Sequence, residues 1–408
     1  MASKRIFRYI CLVFLLYVLF NSLYVRRRDA ISTTSPRFHG EKGLTGIRQY
    51  VRSSYDWSRF KPHHQPSTAP TSLPSVSVKS LPRIQYDFSR SSDSRGSSFE
   101  LRRLEVKRAF QKCWKSYRRY AWMKDELEPV TGKGKTTFGG WGATLFDSLD
   151  TLWIMGFEKE FKEAVKAVAQ VDWAKTEATS VNVFETTIRY LGGLLSAYDL
   201  SGERILLLKA IELGDMLLAA FDRPNYLPGF WFDFENAKNG KQRDDQQLAL
   251  AAPASLSLEF TRLSQLTENS KYYGAIDRVM SLLAKHQNFT LLPGMWPNSI
   301  NFDASSFTKH NKFSIGSSAD SAYEYLPKMH ALLGGMSQKY LDMTNFSFLT
   351  IVGNILYRPS LPNQEDILFA STVHTGMNNR VIPSHDMEHL SCFAGGMFAL
   401  GEVSRVSP

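Results

Sequence analysis

From Phe99 onward, apolar residues recur at i, i+3, i+4 and i+7, the spacing that lays them along one face of a helix. The pattern predicts helices over 100–122, 144–156, 159–171, 181–200, 204–221, 246–266, 270–286, 318–334, 337–357 and 388–402. Strand-like alternation is scarce, and Gly and Pro gather in connections such as 131–142, 223–229 and 292–298. Short links between successive helices imply antiparallel hairpins. No period of about 33 to 47 residues recurs, which argues against the common helical repeat arrays. An all-α toroid remains, with an inner ring of helices buried on both sides. The segment 183–195, apolar nearly all round, suits that ring.

The first hundred residues follow a different pattern. Residues 9–25 form an apolar run whose clearly polar members are Asn21 and Ser22; Lys4, Arg5 and Arg8 precede it and Arg26, Arg27 and Arg28 follow. A signal peptide and a signal anchor both fit such a run. Its length and the lack of a small-x-small cleavage site favour the anchor, with residues 1–8 as a cytoplasmic tail. Basic residues on both flanks leave orientation to the short tail, which fits a single-pass type II protein with a lumenal body. Residues 26–98, rich in Ser, Pro and Arg, bury too little apolar surface to offset the entropy of ordering and read as a disordered stem. The catalytic-sized body is then 99–408.

Composition changes the picture in two places. The net charge of +10 suggests a polyanion partner until it is divided along the chain: residues 1–100 hold 16 Lys/Arg and 6 Asp/Glu, whereas 101–408 hold 33 of each. The body is neutral, so nucleic acid is excluded as a partner. Cys11, Cys113 and Cys392 show no metal-ligand spacing, and Cys11 lies in the apolar run. Sequons at Asn288 and Asn345 agree with a lumenal body and with glycosylation there.

The informative residues are carboxylates inside otherwise apolar helices. Glu185 precedes Arg189 by four residues, Asp320 precedes Glu324 by four, Glu259 stands between Leu258 and Phe260, and Asp147 and Asp150 share one segment. Each has an ordinary reading: a surface ion pair for Glu185 with Arg189, helix caps for Asp147 and Asp150, and solvent exposure for Glu324. Together, on four apolar helices beside aromatic residues, they suggest a shared polar cavity, because a buried carboxylate is costly unless paired. Carboxylates bond hydroxyls, rings stack on the apolar face of a sugar, and one acid with a raised pKa protonates a leaving oxygen.

Six ordered segments then resemble the class I α-1,2-mannosidases of glycoside hydrolase family 47. They are Trp114-Lys-Ser-Tyr-Arg-Arg-Tyr-Ala-Trp-Met-Lys-Asp-Glu-Leu127, Ala143-Thr-Leu-Phe-Asp-Ser-Leu-Asp-Thr-Leu152 and Asn182-Val-Phe-Glu-Thr-Thr-Ile-Arg-Tyr-Leu-Gly-Gly-Leu-Leu-Ser-Ala-Tyr198. They continue with Leu258-Glu-Phe-Thr-Arg-Leu-Ser264, Ala319-Asp-Ser-Ala-Tyr-Glu-Tyr-Leu-Pro-Lys328 and Glu388-His-Leu-Ser-Cys-Phe-Ala-Gly-Gly-Met397. The resemblance runs from about 100 to 402 and looks closest to fungal Golgi-type members. It implies an (α/α)7 barrel, of which about five of seven helical hairpins are present. It also implies inverting removal of terminal α-1,2-linked mannose from high-mannose N-glycans, assisted by calcium. Glu185 matches the general acid and Asp320 a second catalytic carboxylate acting through water. Asp147, Arg189, Glu259, Glu324 and His389 match positions that hold the mannose ring.

Departures accompany these matches. The family's Arg-Pro-Glu motif does not occur, and the resemblance places the calcium-binding Thr beyond Pro408, so no metal ligand is expected within the chain. Cys392 matches a disulfide cysteine whose partner would lie further on. The resemblance therefore implies a C-terminal truncation. Ser318 stands where endoplasmic-reticulum members carry Arg, which implies broader trimming. Two functions are expected from this: a monomeric mannosidase of the Golgi or endoplasmic-reticulum membrane, and, alternatively, an inactive lectin-like quality-control protein that holds mannose glycans.

Overall fold

The computed structural model describes residues 50–64, 69–74, 96–242, 247–301 and 306–405. Apart from Leu266–Glu268, these belong to one compact unit. The apolar run 9–25 and Cys11 lie outside them, and no described helix is long and apolar enough to cross a membrane. Pro408, past which the resemblance places the calcium-binding Thr, also lies outside the described residues.

The body is helical, as the periodicity predicts. Glu158–Val168 shows why: Phe161, Ala164, Val165 and Val168 fall on one face and are buried, while Glu158 and Glu160 occupy the first turn, where they favour the positive helix end. This helix packs on Leu149–Ile154, which packs on Gly192–Ser201, which in turn packs on Arg204–Leu218. A second set joins Asp320–Leu332 to both Gln338–Asn354 and Ala394–Arg405. The short helix Ala251–Ala254 touches Val183–Glu185, Ser270–His286 and Asp320–Leu332. Gly193 permits one of the close approaches, because a Cβ there would come within 2.6 Å of the Phe146 carbonyl oxygen.

Several expected helices are interrupted. The segment 144–156 divides at Ser148 into Ala143–Asp147 and Leu149–Ile154. The segment 181–200 opens as a strand, Ser180–Asn182, paired antiparallel with Trp231–Asp233. Helix begins only at Val183, where the Asn182 side chain accepts the Glu185 N–H at 2.9 Å, an N-cap that stops helix from extending backward. Thr186–Leu191 is then π-helical before α-helix resumes at Gly192–Ser201. The segment 246–266 holds a strand, Leu248–Ala249, and two helices, Ala251–Ala254 and Ser257–Thr267. The segment 388–402 opens as the 3-10 turn His389–Phe393 before Ala394–Arg405. Such two- and three-residue strands carry no periodicity long enough to read, which is why the hydrophobic pattern passes over them.

The reading of 26–98 as a disordered stem does not extend to residues 50–64. This segment lies against the body: Val51 N–H donates to the Ala169 carbonyl at 3.0 Å, and Trp57 is 4% exposed. Polar composition concealed it, because its anchoring depends on main-chain bonds, hydroxyls bonded to distant carboxylates and one buried aromatic ring.

The Gly-rich connection after the first long helix, Gly96–Tyr120, is organised by one buried carboxylate. Asp125, fully buried, accepts N–H groups of Phe138, Gly140, Gly142 and Ala143 at 2.8–3.0 Å, and the Tyr190 hydroxyl at 2.8 Å. Gly139, Gly140 and Gly142 all have positive φ, which lets the chain wrap round that carboxylate. Replacing Asp125 with Ala would leave these donors unpaired in the interior. Urea unfolding of the Asp125→Ala variant should show a loss of at least about 4 kcal/mol.

Candidate active site

Arg189 lies within the π-helical turn. Its Nε donates to Glu185 Oε2 at 2.8 Å and its Nη1 to Asp147 Oδ2 at 3.0 Å. The guanidinium also sits 4.5 Å from the centre of the Phe138 ring, which the Asp125-anchored loop presents. One cation thus joins carboxylates from two elements, and an aromatic face covers it. Burial works against the Arg189 charge, but Glu185 and Asp147 outweigh it and raise the pKa. Asp147 is raised too, first by desolvation, against the pull of Arg189. A π-turn of this kind re-aims the side chains on a helix and is frequent at functional sites. Asp150, on the adjoining helix, accepts the Ser196 hydroxyl at 2.8 Å.

A second group of carboxylates surrounds the start of Asp320–Leu332. Asp320 is half-buried, accepts the Ser321 N–H at 2.8 Å, and is raised by desolvation, with Glu324 and Glu388 adding to the rise. Lys328 Nζ donates to Glu324 Oε1 at 2.6 Å. Glu388 Oε2 accepts the Ser317 N–H at 2.7 Å, and His389 is exposed at the start of a 3-10 turn that contacts Asp320–Leu332. Ser318 is exposed with φ 74°, and its carbonyl accepts the Ala251 N–H at 2.9 Å.

Glu259 stands between the two groups. Its Oε1 accepts the Tyr325 hydroxyl at 2.9 Å and lies 3.5 Å from where a Cβ on Gly192 would be. Its Oε2 is buried with no partner among the described residues. Desolvation pushes this carboxyl up to about 7, against the pull of Tyr325 and Lys328. Seven predicted residues (Asp147, Glu185, Arg189, Glu259, Asp320, Glu324 and His389) therefore fall on neighbouring elements, with Ser318 at the edge. Asn288 and Asn345 lie apart: Asn288 is exposed in the turn Gln287–Phe289, and Asn345 is half-buried within Gln338–Asn354.

Sequence reasoning gave no role to Phe138, Tyr325, Lys328 or Glu388. Lys328 was signalled by its spacing four residues after Glu324; Phe138 had no sequence signal. A cavity of about 320 Å³ lined by Trp57, Phe60, Phe221 and Asp222 contains none of these carboxylates. Cys113 and Cys392 are exposed and form no disulfide among the described residues. Among the described residues no group of three or more His, Cys, Asp or Glu side chains is arranged to hold a metal ion.

Glu259 makes stability depend on pH in a defined direction. Its folded pKa lies above the unfolded value of 4.5, so its contribution is full below pH 4.5 and is lost as pH rises through about 7. Chemical denaturation at pH 5 and pH 8 should show wild type losing roughly 3 kcal/mol relative to Glu259→Gln across that interval.

Comparison with known proteins bears on the family and the fold. The glycosyl hydrolase family 47 pattern matches residues 109–407. A mannosyl-oligosaccharide 1,2-alpha-mannosidase of Arabidopsis thaliana is 39% identical over 308 residues, covering 74% of this chain and 52% of the relative. The endoplasmic reticulum mannosyl-oligosaccharide 1,2-alpha-mannosidase of Homo sapiens is 37% identical over 292 residues, covering 72% and 40%. The solved alpha-1,2-mannosidase from Trichoderma reesei superposes with a TM-score of 0.67 at 31% identity, covering 74% of this chain and 63% of that one. The chain spans about half the length of the curated relatives it matches. Its fold is the all-α (α/α)7 architecture that the sequence resemblance implied. With a family match over most of its body, the chain belongs to glycosyl hydrolase family 47.

Proposed function

We propose that the protein removes terminal α-1,2-linked mannose from high-mannose N-glycans by inverting hydrolysis. The observation that supports this reading is two groups of acids, Glu185 and Asp147 on Arg189 and Glu324 on Lys328 beside Asp320, with Glu259 reaching Tyr325 of one and lying close to Gly192 near the other. In an inverting reaction one carboxyl gives its proton to the glycosidic oxygen as that bond breaks. The other takes a proton from water as the water's oxygen bonds to the anomeric carbon from the opposite face. Glu259, Glu324 and Asp147 offer acceptors to sugar hydroxyls, and Arg189 holds two of the acids in place. His389 and Ser318 border the same region.

By the resemblance, Glu185 is the proton donor and Asp320 serves the water. A second assignment, with the roles exchanged, is favoured by one observation. Asp320 is raised by burial, and the neighbouring acids Glu324 and Glu388 add to the rise. Low-dielectric burial without a cation is the usual way to keep an acid protonated near neutrality.

The anchored topology belongs to the same proposal: tail 1–8, membrane span 9–25, and a lumenal body in the Golgi or endoplasmic reticulum, acting as a monomer. Relatives named as endoplasmic reticulum enzymes support that setting. The exposed turn at Asn288 suits a glycan better than the helical Asn345.

Assays on a high-mannose glycan test the reading. Glu185→Gln and Asp320→Asn should each lower kcat by about a thousandfold while leaving glycan affinity within a few-fold. The variant whose pH–rate profile loses its alkaline limb identifies the proton donor. Binding without turnover by the wild-type chain would replace this reading with the lectin-like one. Ser318→Arg should narrow the set of glycan products; an unchanged product pattern would remove Ser318 from the specificity assignment.

A further inference from the structure

The segment 50–64 precedes the residues that match the family, 109–407, yet it is tied into the body. Lys209, fully buried, donates from Nζ to the carbonyls of Val51 and Val171 at 2.6 and 2.7 Å and to Glu212 at 3.0 Å. Glu212 also accepts the Tyr50 hydroxyl, the Ser53 N–H at 3.2 Å and the Ser53 hydroxyl at 2.9 Å. Further along, Asp222 accepts the main-chain N–H groups of His63 and His64 at 3.0 and 2.7 Å. The segment is thus a strap fastened at both ends, and between the fastenings Asp56 caps the turn Trp57–Arg59, which drives the Trp57 ring inward.

Trp57 packs against two rings that lead to the candidate site by separate routes. Its ring centre lies 5.4 Å from that of Phe232, edge to face. Phe232 pairs with Val181 in the strand pair, and the next residue, Asn182, caps Glu185. Its centre also lies 6.0 Å from that of Phe234, which contacts Trp141, which contacts Tyr190, the neighbour of Arg189. Phe232 is fully buried and Phe234 and Trp141 nearly so. A close-packed row of rings transmits displacement, because interiors have few voids to absorb it.

We propose that Trp57 is a positioning residue for the Glu185–Arg189 pair, acting through Phe232 and Phe234. The strap is then part of the working body, and the body begins at about residue 50. Trp57 touches no candidate substrate-binding group; it fixes the strand from which the Glu185 helix starts and the ring behind the π-turn. The kinetic side of this inference rests on the proposed glycosidase reading; the structural side does not.

Hydrogen exchange and kinetics on the full chain test it with Trp57→Ala, Trp57→Phe and Ser53→Ala. Trp57→Ala should raise amide exchange across 181–191 about tenfold and leave 320–332 unchanged. It should lower kcat about tenfold with KM within twofold, since the site is misplaced rather than lost. Trp57→Phe keeps a ring and deletes an indole N–H that is buried without a partner among the described residues, so it should restore most of both. Ser53→Ala loosens the strap at Glu212 and removes the acceptor of the Trp173 N–H but leaves the Trp57 ring, and should change both far less than Trp57→Ala does. An unchanged 181–191 in Trp57→Ala, or a rise spread uniformly over the body, overturns the proposal, as does an equal kcat loss in Ser53→Ala. Should Trp57→Ala fail to fold, Trp57→Leu takes its place. Should wild type turn over no glycan, the exchange measurement alone decides, so the two readings fail separately.

Discussion

A guanidinium held between two carboxylates is the interaction on which the site depends. Arg189 reaches Glu185 on its own helix and Asp147 on another, and Phe138 covers its face. Without the cation, two acids would face each other in a partly desolvated region with no shared partner. With it, they share one partner and their positions are linked. Every other local feature serves that geometry: the Asn182 cap, the π-turn, and the loop bound to Asp125 that delivers Phe138.

The acids of the site differ because their surroundings differ. Glu185 and Asp147 have a cation at hydrogen-bond distance, whereas Asp320 has the Ser321 N–H and two acidic neighbours, and Glu259 has one tyrosine hydroxyl and a buried oxygen with no partner among the described residues. Desolvation outweighs pairing at Asp147 and Asp320, and most strongly at Glu259, whose carboxyl is pushed to about 7. Unlike carboxyls side by side are what acid–base hydrolysis of a glycosidic bond requires. A site with every acid equally ion-paired would bind a sugar but have no proton to give.

Stability and function meet at the strap. Lys209 is a fully buried cation whose pKa is lowered first by desolvation, and its position holds because two carbonyls and Glu212 receive its three protons. The strap supplies one of those carbonyls. Its Trp57 fills the space behind the strand pair, so the segment is held by hydrogen bonds at its ends and by ring packing at its centre.

The sequence by itself determined the helical class, the neutral body and the short list of acids, because helical periodicity and carboxylates on apolar faces are local patterns of residue type. Glu185 with Arg189 was legible as a pair since a helix places residues four apart side by side; Lys328, four residues after Glu324, was passed over. The family was legible from whole segments. What the chain alone left open was long-range: that Arg189 also takes Asp147, that Glu259 reaches Tyr325, and that Phe138 covers the guanidinium. The strand at 180–182, the π-turn after Glu185 and the docking of residues 50–64 were likewise decided by tertiary contacts. Each is held by a partner distant in sequence, and no periodicity records where a hydrogen bond to another segment will fall.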